Sequence, residues 1–387
     1  MTFNSPPSLA IPEQLTLEIS PTSQMQELPS FSTSGGRWRA YLNQLCLDAF
    51  LSWLQEEQVF GARVWTQIAA LPSFWEFTNG TAIACDGMRL VLIPTTAIDI
   101  AELRVPQEWV DIPNWVADYY ISVRVNPNAG WMTICGYITH RQLKTKGVYD
   151  ASDRAYCLDE NDLIKDINGL WITRQLCPEE VLRESVAPLP HLPIAQAESL
   201  LARLSNTAVI FPRLAIPFQL WGALLEHGGW RQRLYERRQG LSEQWAIQQW
   251  LQAGVSHLAQ QLGWEMSSLQ LAPRGVRSRE TAESQVFLSR QLMLADHPYE
   301  LRVLSRGNLA DNVWRFELRN ANADEMIPVG FKLRLLTEDL QPFANNEDTA
   351  KEAIAQLYVD VMLEPGEALV WEVEPTPDGY DREILRF

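Results

Sequence analysis

Lysine is scarce: five residues, Lys144, Lys146, Lys165, Lys332 and Lys351, in a chain of 387. None follows a glycine, so the Gly-Lys dipeptide of a Walker A loop is absent, and with it a recognisable P-loop nucleotide site. The five histidines, His140, His191, His227, His257 and His297, stand at unrelated points and form no HExxH. GxSxG and GxGxxG are missing too, which excludes the recognisable forms of α/β-hydrolase, zincin and dinucleotide sites. Each histidine is read as structural; His227, before Gly228-Gly229, suits a helix C-terminus, where positive charge is favoured. The five cysteines (Cys46, Cys85, Cys135, Cys157, Cys177) are odd in number and contain no CxxC. That pattern argues against a disulfide framework and against a zinc site, and fits a reducing cytoplasm. Asp86, Arg89 and Asp99 interrupt the most apolar segment, which leaves no run of about 20 apolar residues for a membrane span. No Lys or Arg precedes Arg37 and no apolar h-region is present, so export is not expected.

Apolar residues make up 46% of the chain, enough for two or three domains that each bury a core. The net charge of −16 argues against nonspecific nucleic-acid binding, which needs basic surface to release counterions. The charge is uneven. From Thr337 to the C-terminus thirteen acids face three bases, whereas Arg231–Arg238 holds four arginines and one glutamate. The basic residues are mostly arginine, whose planar fork suits bidentate contacts; drift in composition would give the same bias.

Residues 1–35, rich in Pro, Ser and Thr, read as a flexible leader. In Arg37–Glu57 the residues Trp38, Tyr41, Leu42, Leu45, Cys46, Ala49, Trp53 and Leu54 recur at helical spacing and predict one buried stripe. Thr81–Cys85 and Met88–Pro94 flank Asp86-Gly87, a two-residue hairpin turn. A second hairpin is expected between Asp118–Val125 and Trp131–His140, closing a mixed α/β domain over 36–185. The prolines 188, 190 and 193 mark a boundary. A helical block over 195–265 should follow, with Gly228-Gly229 ending one helix and Ser242 capping a long one through Trp245, Trp250 and Leu262. Beyond a linker at 273–284, period-two alternation predicts an antiparallel β-sandwich over 286–387 that folds alone. The expected class is thus an α+β multidomain chain.

The stretch GYITHRQLKTKGVYDASDRAYCLDENDLI resembles the closing part of restriction-endonuclease-like proteins. Such nucleases hold Mg²⁺ with an Asp followed by Glu/Asp-x-Lys, and here no lysine has an acid two residues before it. If related, the first domain is a degenerate restriction-endonuclease-like core, and Asp118 is the one acid on the relevant strand. A buried hairpin packed by Tyr137 and Tyr149 accounts for the same residues. Over WVADYYISVRVNPNAGWMTICGYITHRQLKTKGVYDASDR, WRQRLYERRQGLSEQWAIQQWLQAGVSHLAQQLGW and GFKLRLLTEDLQPFANNEDTA the chain resembles the cyanobacterial domain-of-unknown-function family 1822. The likeness spans about 30–387 and implies a cytoplasmic protein with a C-terminal β-domain, but no activity and no catalytic residues.

The expected function is therefore a non-enzymatic interaction or regulatory protein with a protein partner and no cofactor. Two alternatives stand beside it: a hydrolase or nuclease with an unfamiliar site, and a carbohydrate- or peptide-binding sandwich with Trp314 and Tyr358 as the aromatics to inspect. The candidate partner site is the Arg-rich helix, with Trp230, Arg231, Arg233, Leu234, Arg237 and Arg238. Either these arginines receive an acidic partner or a phosphate backbone, or they pair with acids of the same chain.

Overall fold

Asp86 and Gly87 adopt φ of 47° and 70°, which brings Cys85 opposite Met88 and closes the first hairpin as the Asp-Gly signal requires. In this computed structural model residues 14–387 are described, apart from 58, 60, 99–100, 243, 271–283, 307–311 and 323. The linker expected at 273–284 thus lies almost wholly outside the described residues. The chain is a mixed α+β protein and divides into two compact units. The first comprises 1–192, 197–227 and 237–240; the second comprises 193–196, 228–236 and 241–387. The change of unit at Leu192–Pro193 falls inside the proline-rich run, and the expected helical block of 195–265 is divided between the units.

The first unit is built on a six-stranded sheet in the order Thr16–Glu18, Trp131–Thr139, Tyr119–Asn126, Met88–Thr95, Thr81–Cys85, Arg63–Val64. Met88–Thr95 and Tyr119–Asn126 run parallel, joined through the strand Glu102–Pro106 and the helix Gln107–Asp111. The second hairpin forms as expected, with a bulge at Ser122/Val123. A smaller sheet pairs Glu102–Pro106 with Ala155–Asp159 and Val148–Asp150. The helix Ser34–Glu56 is capped by Thr33, whose side chain accepts from the Gly36 N–H, and buries Leu42, Leu45, Cys46, Phe50 and Leu54. Part of the expected leader is ordered. Thr16–Glu18 extends the sheet along Trp131–Thr133, and Ile19 is buried there. Backbone pairing to an open sheet edge fixes this segment despite its polar composition.

The second unit has a five-stranded antiparallel sheet, Trp264–Gln270, Ser284–Leu294, His297–Ser305, Val313–Asn320, Gln356–Met362, and a four-stranded one, Glu347–Thr349, Lys332–Thr337, Ala368–Glu374, Ile384–Arg386. Inward residues alternate as the period-two pattern predicts: Trp314, Phe316 and Leu318 are buried, as are Leu357 and Val359. Trp314 and Phe316 meet Phe387 at centroid distances of 4.8 and 6.0 Å. Arg290 and Glu383 are ion-paired inside this core, where Trp264 Nε1 (3.0 Å) and Trp371 Nε1 (3.3 Å) donate to Glu383. Since Trp264 is fully buried here, the strands of 286–387 draw core from outside that range.

Two helix boundaries differ from the expectation. Gly228-Gly229 opens the helix Gly228–Gln239 instead of ending the one before it. A Cβ at Gly228 would run into Asp381 and the Arg382 carbonyl, and one at Gly229 into Ile384, so both glycines serve a close approach of backbone. The long helix through Trp245–Leu262 is two short ones, Ile247–Ala253 and His257–Gln261. Gly254 takes a φ of 95° and Ser256 caps the second helix, which breaks the run; Ser242 caps neither.

Candidate functional site

Arg39 and Asn43 lie one helical turn apart on Ser34–Glu56, so both reach the segment after the short helix Leu71–Trp75. Arg39 donates from Nε to the Trp75 carbonyl (2.8 Å) and from Nη2 to the Glu76 carbonyl (2.5 Å). Asn43, fully buried, accepts from the Gly80 N–H (3.1 Å) and Thr81 hydroxyl (2.9 Å), and donates to Asn79 Oδ1 (3.0 Å). Asn79 in turn donates to the Pro94 carbonyl (3.0 Å) and accepts at its own carbonyl from Trp109 Nε1 (2.9 Å). Gly80, at φ 120°, is the residue this passage needs, because a Cβ there would strike Trp109 and Ile93. These bonds tie the helices Ser34–Glu56, Leu71–Trp75 and Gln107–Asp111 and the strands Thr81–Cys85 and Met88–Thr95 together beside a cavity of about 490 Å³ in the first unit.

The cavity opens at the carboxyl end of Met88–Thr95, a member of the parallel pair, where α/β sheets commonly bind ligands. Its wall includes Arg39, Arg104, Arg213, Glu102 and Asp153, the polar Thr78, Asn79 and Ser122, and apolar Phe77, Ile93 and Leu103. Arg213 makes a two-pronged contact with Glu108 (2.9 and 2.7 Å), to which Trp221 Nε1 also donates (2.8 Å). Glu108 is wholly buried, and three donors take the place of water around its carboxylate. Arg104 is held by Glu102, Asp150 and Asp153 at 2.5–2.8 Å. Arg39 differs, since both of its hydrogen bonds go to neutral carbonyls. Burial pulls its pKa below the ordinary value; Glu76 opposes this and the nearby Arg213 adds to it. Among the described residues the buried Thr78 hydroxyl has no hydrogen-bond partner, an uncommon state for a polar group.

The Arg-rich helix is placed differently from an open docking face. Trp230, Arg231, Arg233, Leu234 and Arg238 are buried, with Arg237 intermediate. Arg231 pairs with Asp381, and Arg233 pairs with Glu338 at 2.7 Å, where Trp230 Nε1 also donates (3.1 Å). Arg237 meets Glu198 at 3.1 Å, and Arg238 meets Glu76 at 3.2 Å and the Leu204 carbonyl at 2.8 Å. Of the two readings open for these arginines, the pairing with acids of the same chain is the one these contacts agree with: acids distant in sequence neutralise them, which is the condition for burying a guanidinium.

The other sequence-derived candidates are engaged structurally. Asp118 binds Arg183 through both oxygens (2.8 and 2.7 Å) and accepts the Arg89 N–H. His140 is buried, its Nε2 against the Val110 carbonyl and its Nδ1 accepting from the Glu184 N–H, each at 3.0 Å. Trp314 is 1% exposed and faces the core while Tyr358 faces outward under Arg315, so these two do not line up as a binding row. Cys46, Cys85, Cys135 and Cys157 are buried free thiols; burial pushes Cys85 up to about 12. Among the described residues no group of three His, Cys, Asp or Glu is placed to hold a metal, and no helix is long and apolar enough to cross a membrane. The sequence reading missed the cavity, although the polar Arg39 and Asn43 at i, i+4 on a helix with an apolar stripe were its visible signal.

Taken together, these features define a two-unit α+β protein whose first unit carries an arginine-walled cavity. The chain belongs to the family described as Protein of unknown function (DUF1822), whose model matches residues 17–386. No curated protein and no solved structure matches it significantly.

Proposed function

We propose that this chain is a non-enzymatic regulatory protein of the cytoplasm that works by binding, with the first-unit cavity as its small-molecule site and a protein as its partner. The supporting observation is how the charged wall is committed. Glu102 and Asp153 are both paired with Arg104, and Arg213 with Glu108, so these groups hold the wall in shape. General acid–base catalysis asks instead for a group free to exchange a proton with substrate. We likewise read the two C-terminal sheets as an antiparallel sandwich, supported by the contacts of Trp314 and Phe316 with Phe387.

Titrating the purified protein with fractionated metabolites and following both heat and product by mass spectrometry tests the reading. Saturable binding without turnover is expected, with recovery of a protein partner that changes between free and ligand-loaded protein. Conversion of the bound molecule, lost on Arg39→Met, would refute it.

A further inference from the structure

Given the cavity as a ligand site, the reading proposed above, its wall also selects the chemistry of the ligand. Of the three guanidinium groups in the wall, Arg104 faces three carboxylates and Arg213 one, which leaves Arg39 as the cation bonded to neutral carbonyls alone. A guanidinium carries five N–H donors. Nε and one hydrogen of Nη2 are spent on the consecutive carbonyls of Trp75 and Glu76. The donors left are the two of Nη1 and one of Nη2, the edge that forms an end-on fork to a carboxylate. Because Nε and Nη2 are anchored, that edge is fixed before a ligand arrives, which lowers the ordering cost of binding.

The rest of the wall fits the remainder of such a molecule. Phe77, Ile93, Leu103 and Pro106 offer apolar surface, and Thr78 brings a hydroxyl that has no hydrogen-bond partner among the described residues. We propose that the cavity binds a small organic monocarboxylate, its carboxylate on the free edge of Arg39 and its short apolar body against Phe77, Ile93 and Leu103. One guanidinium with no carboxylate hydrogen-bonded to it matches one negative charge. A phosphate monoester would bring close to two, with Glu102 and Asp153 already in the wall to repel the second.

The test titrates the whole 387-residue chain with hexanoate, hexanamide, hexylammonium and hexyl phosphate by calorimetry. Hexanoate should bind saturably, and hexanamide, of the same shape without charge, should bind at least ten-fold more weakly. Arg39→Met should weaken hexanoate by roughly ten- to hundred-fold, the range for losing a charge-assisted fork. Because Arg39 also ties down two carbonyls, a second variant guards against misfolding: Ala97→Trp fills the exposed rim of the cavity and should block hexanoate with the thermal midpoint unchanged. Equal binding of amide and acid, or preference for the phosphate or ammonium probe, overturns the carboxylate assignment while leaving a ligand cavity in place. Binding of none of the four, or binding untouched by Ala97→Trp, overturns the assignment together with the cavity reading.

Discussion

Replacing Glu108 with Gln tests the wall of the cavity at its most sensitive point. The change keeps the side chain's shape and one acceptor for Trp221, but removes the charge that faces Arg213. Glu108 is wholly buried and the Arg213 side chain is 18% exposed, so the arginine is left largely desolvated without its counterion. Breaking a buried pair from one side costs about 3–5 kcal/mol. Arg213 keeps its bonds to the Asp153 and Arg154 carbonyls at 2.6 and 3.1 Å and reaches some water, which places the expected loss near the lower bound, about 3 kcal/mol. For a unit of this size that corresponds to a fall of roughly 6–12 °C in Tm. Since the penalty belongs to the stranded charge, Glu108→Gln with Arg213→Met should be more stable than the sum of the two single variants by at least about 1 kcal/mol. Denaturant unfolding of all four proteins closes the cycle. A single-variant loss below about 1 kcal/mol, or additive single effects, would refute the view that this pair acts as a buried unit.

The arginine helix gives a paired contrast: Arg238→Glu, whose side chain is 1% exposed against Glu76 at 2%, should lose about 3–5 kcal/mol by chemical denaturation, and Arg237→Glu, about one-third exposed, less than about 1. Equal effects would mean that the helix is not packed as described. His140 sets a pH dependence. Burial holds its pKa below the ordinary value, so the unfolded chain takes up the proton first as pH falls. The stability owed to neutral His140 is therefore complete above pH of about 6.5 and declines as pH drops toward the lower folded value. The unfolding free energy measured from pH 7 to 5 should fall less steeply in His140→Gln, and an unchanged slope would remove His140 as the cause.

Features carried by neighbours in sequence were legible. Asp86-Gly87 sets its own dihedrals, so its hairpin needs no distant partner to be recognised, and the alternation in Val313–Asn320 and Gln356–Met362 is the pleat itself. The break at Gly254 was also local, yet the apolar spacing on either side outweighed it in the reading of one long helix. Illegible features depended on distant partners. Thr16–Glu18 looks like a leader until Trp131–Thr133 is beside it, and Arg231 has the same composition whether water or Asp381 surrounds it. The cavity belongs to this class. Arg39, Thr78, Arg104 and Arg213 come from four separate stretches of the chain, and no spacing rule links them.

The bias of the chain toward arginine has a structural use that composition left open. Arg183 holds Asp118, Arg213 holds Glu108 and Arg315 holds Asp360, in each case with two nitrogens on two oxygens at 2.7–2.9 Å. A lysine in those places would keep the charge and lose the fork. In an acidic chain such forks satisfy carboxylates that cannot reach water, as at Glu108, and each consumes the positive charge it brings. Net charge therefore says little about the surface a ligand meets. What matters is which guanidinium is left with neutral partners, and in the first-unit cavity that is Arg39, whose free edge is held in place by the same helix that positions Asn43 against the loop at Gly80.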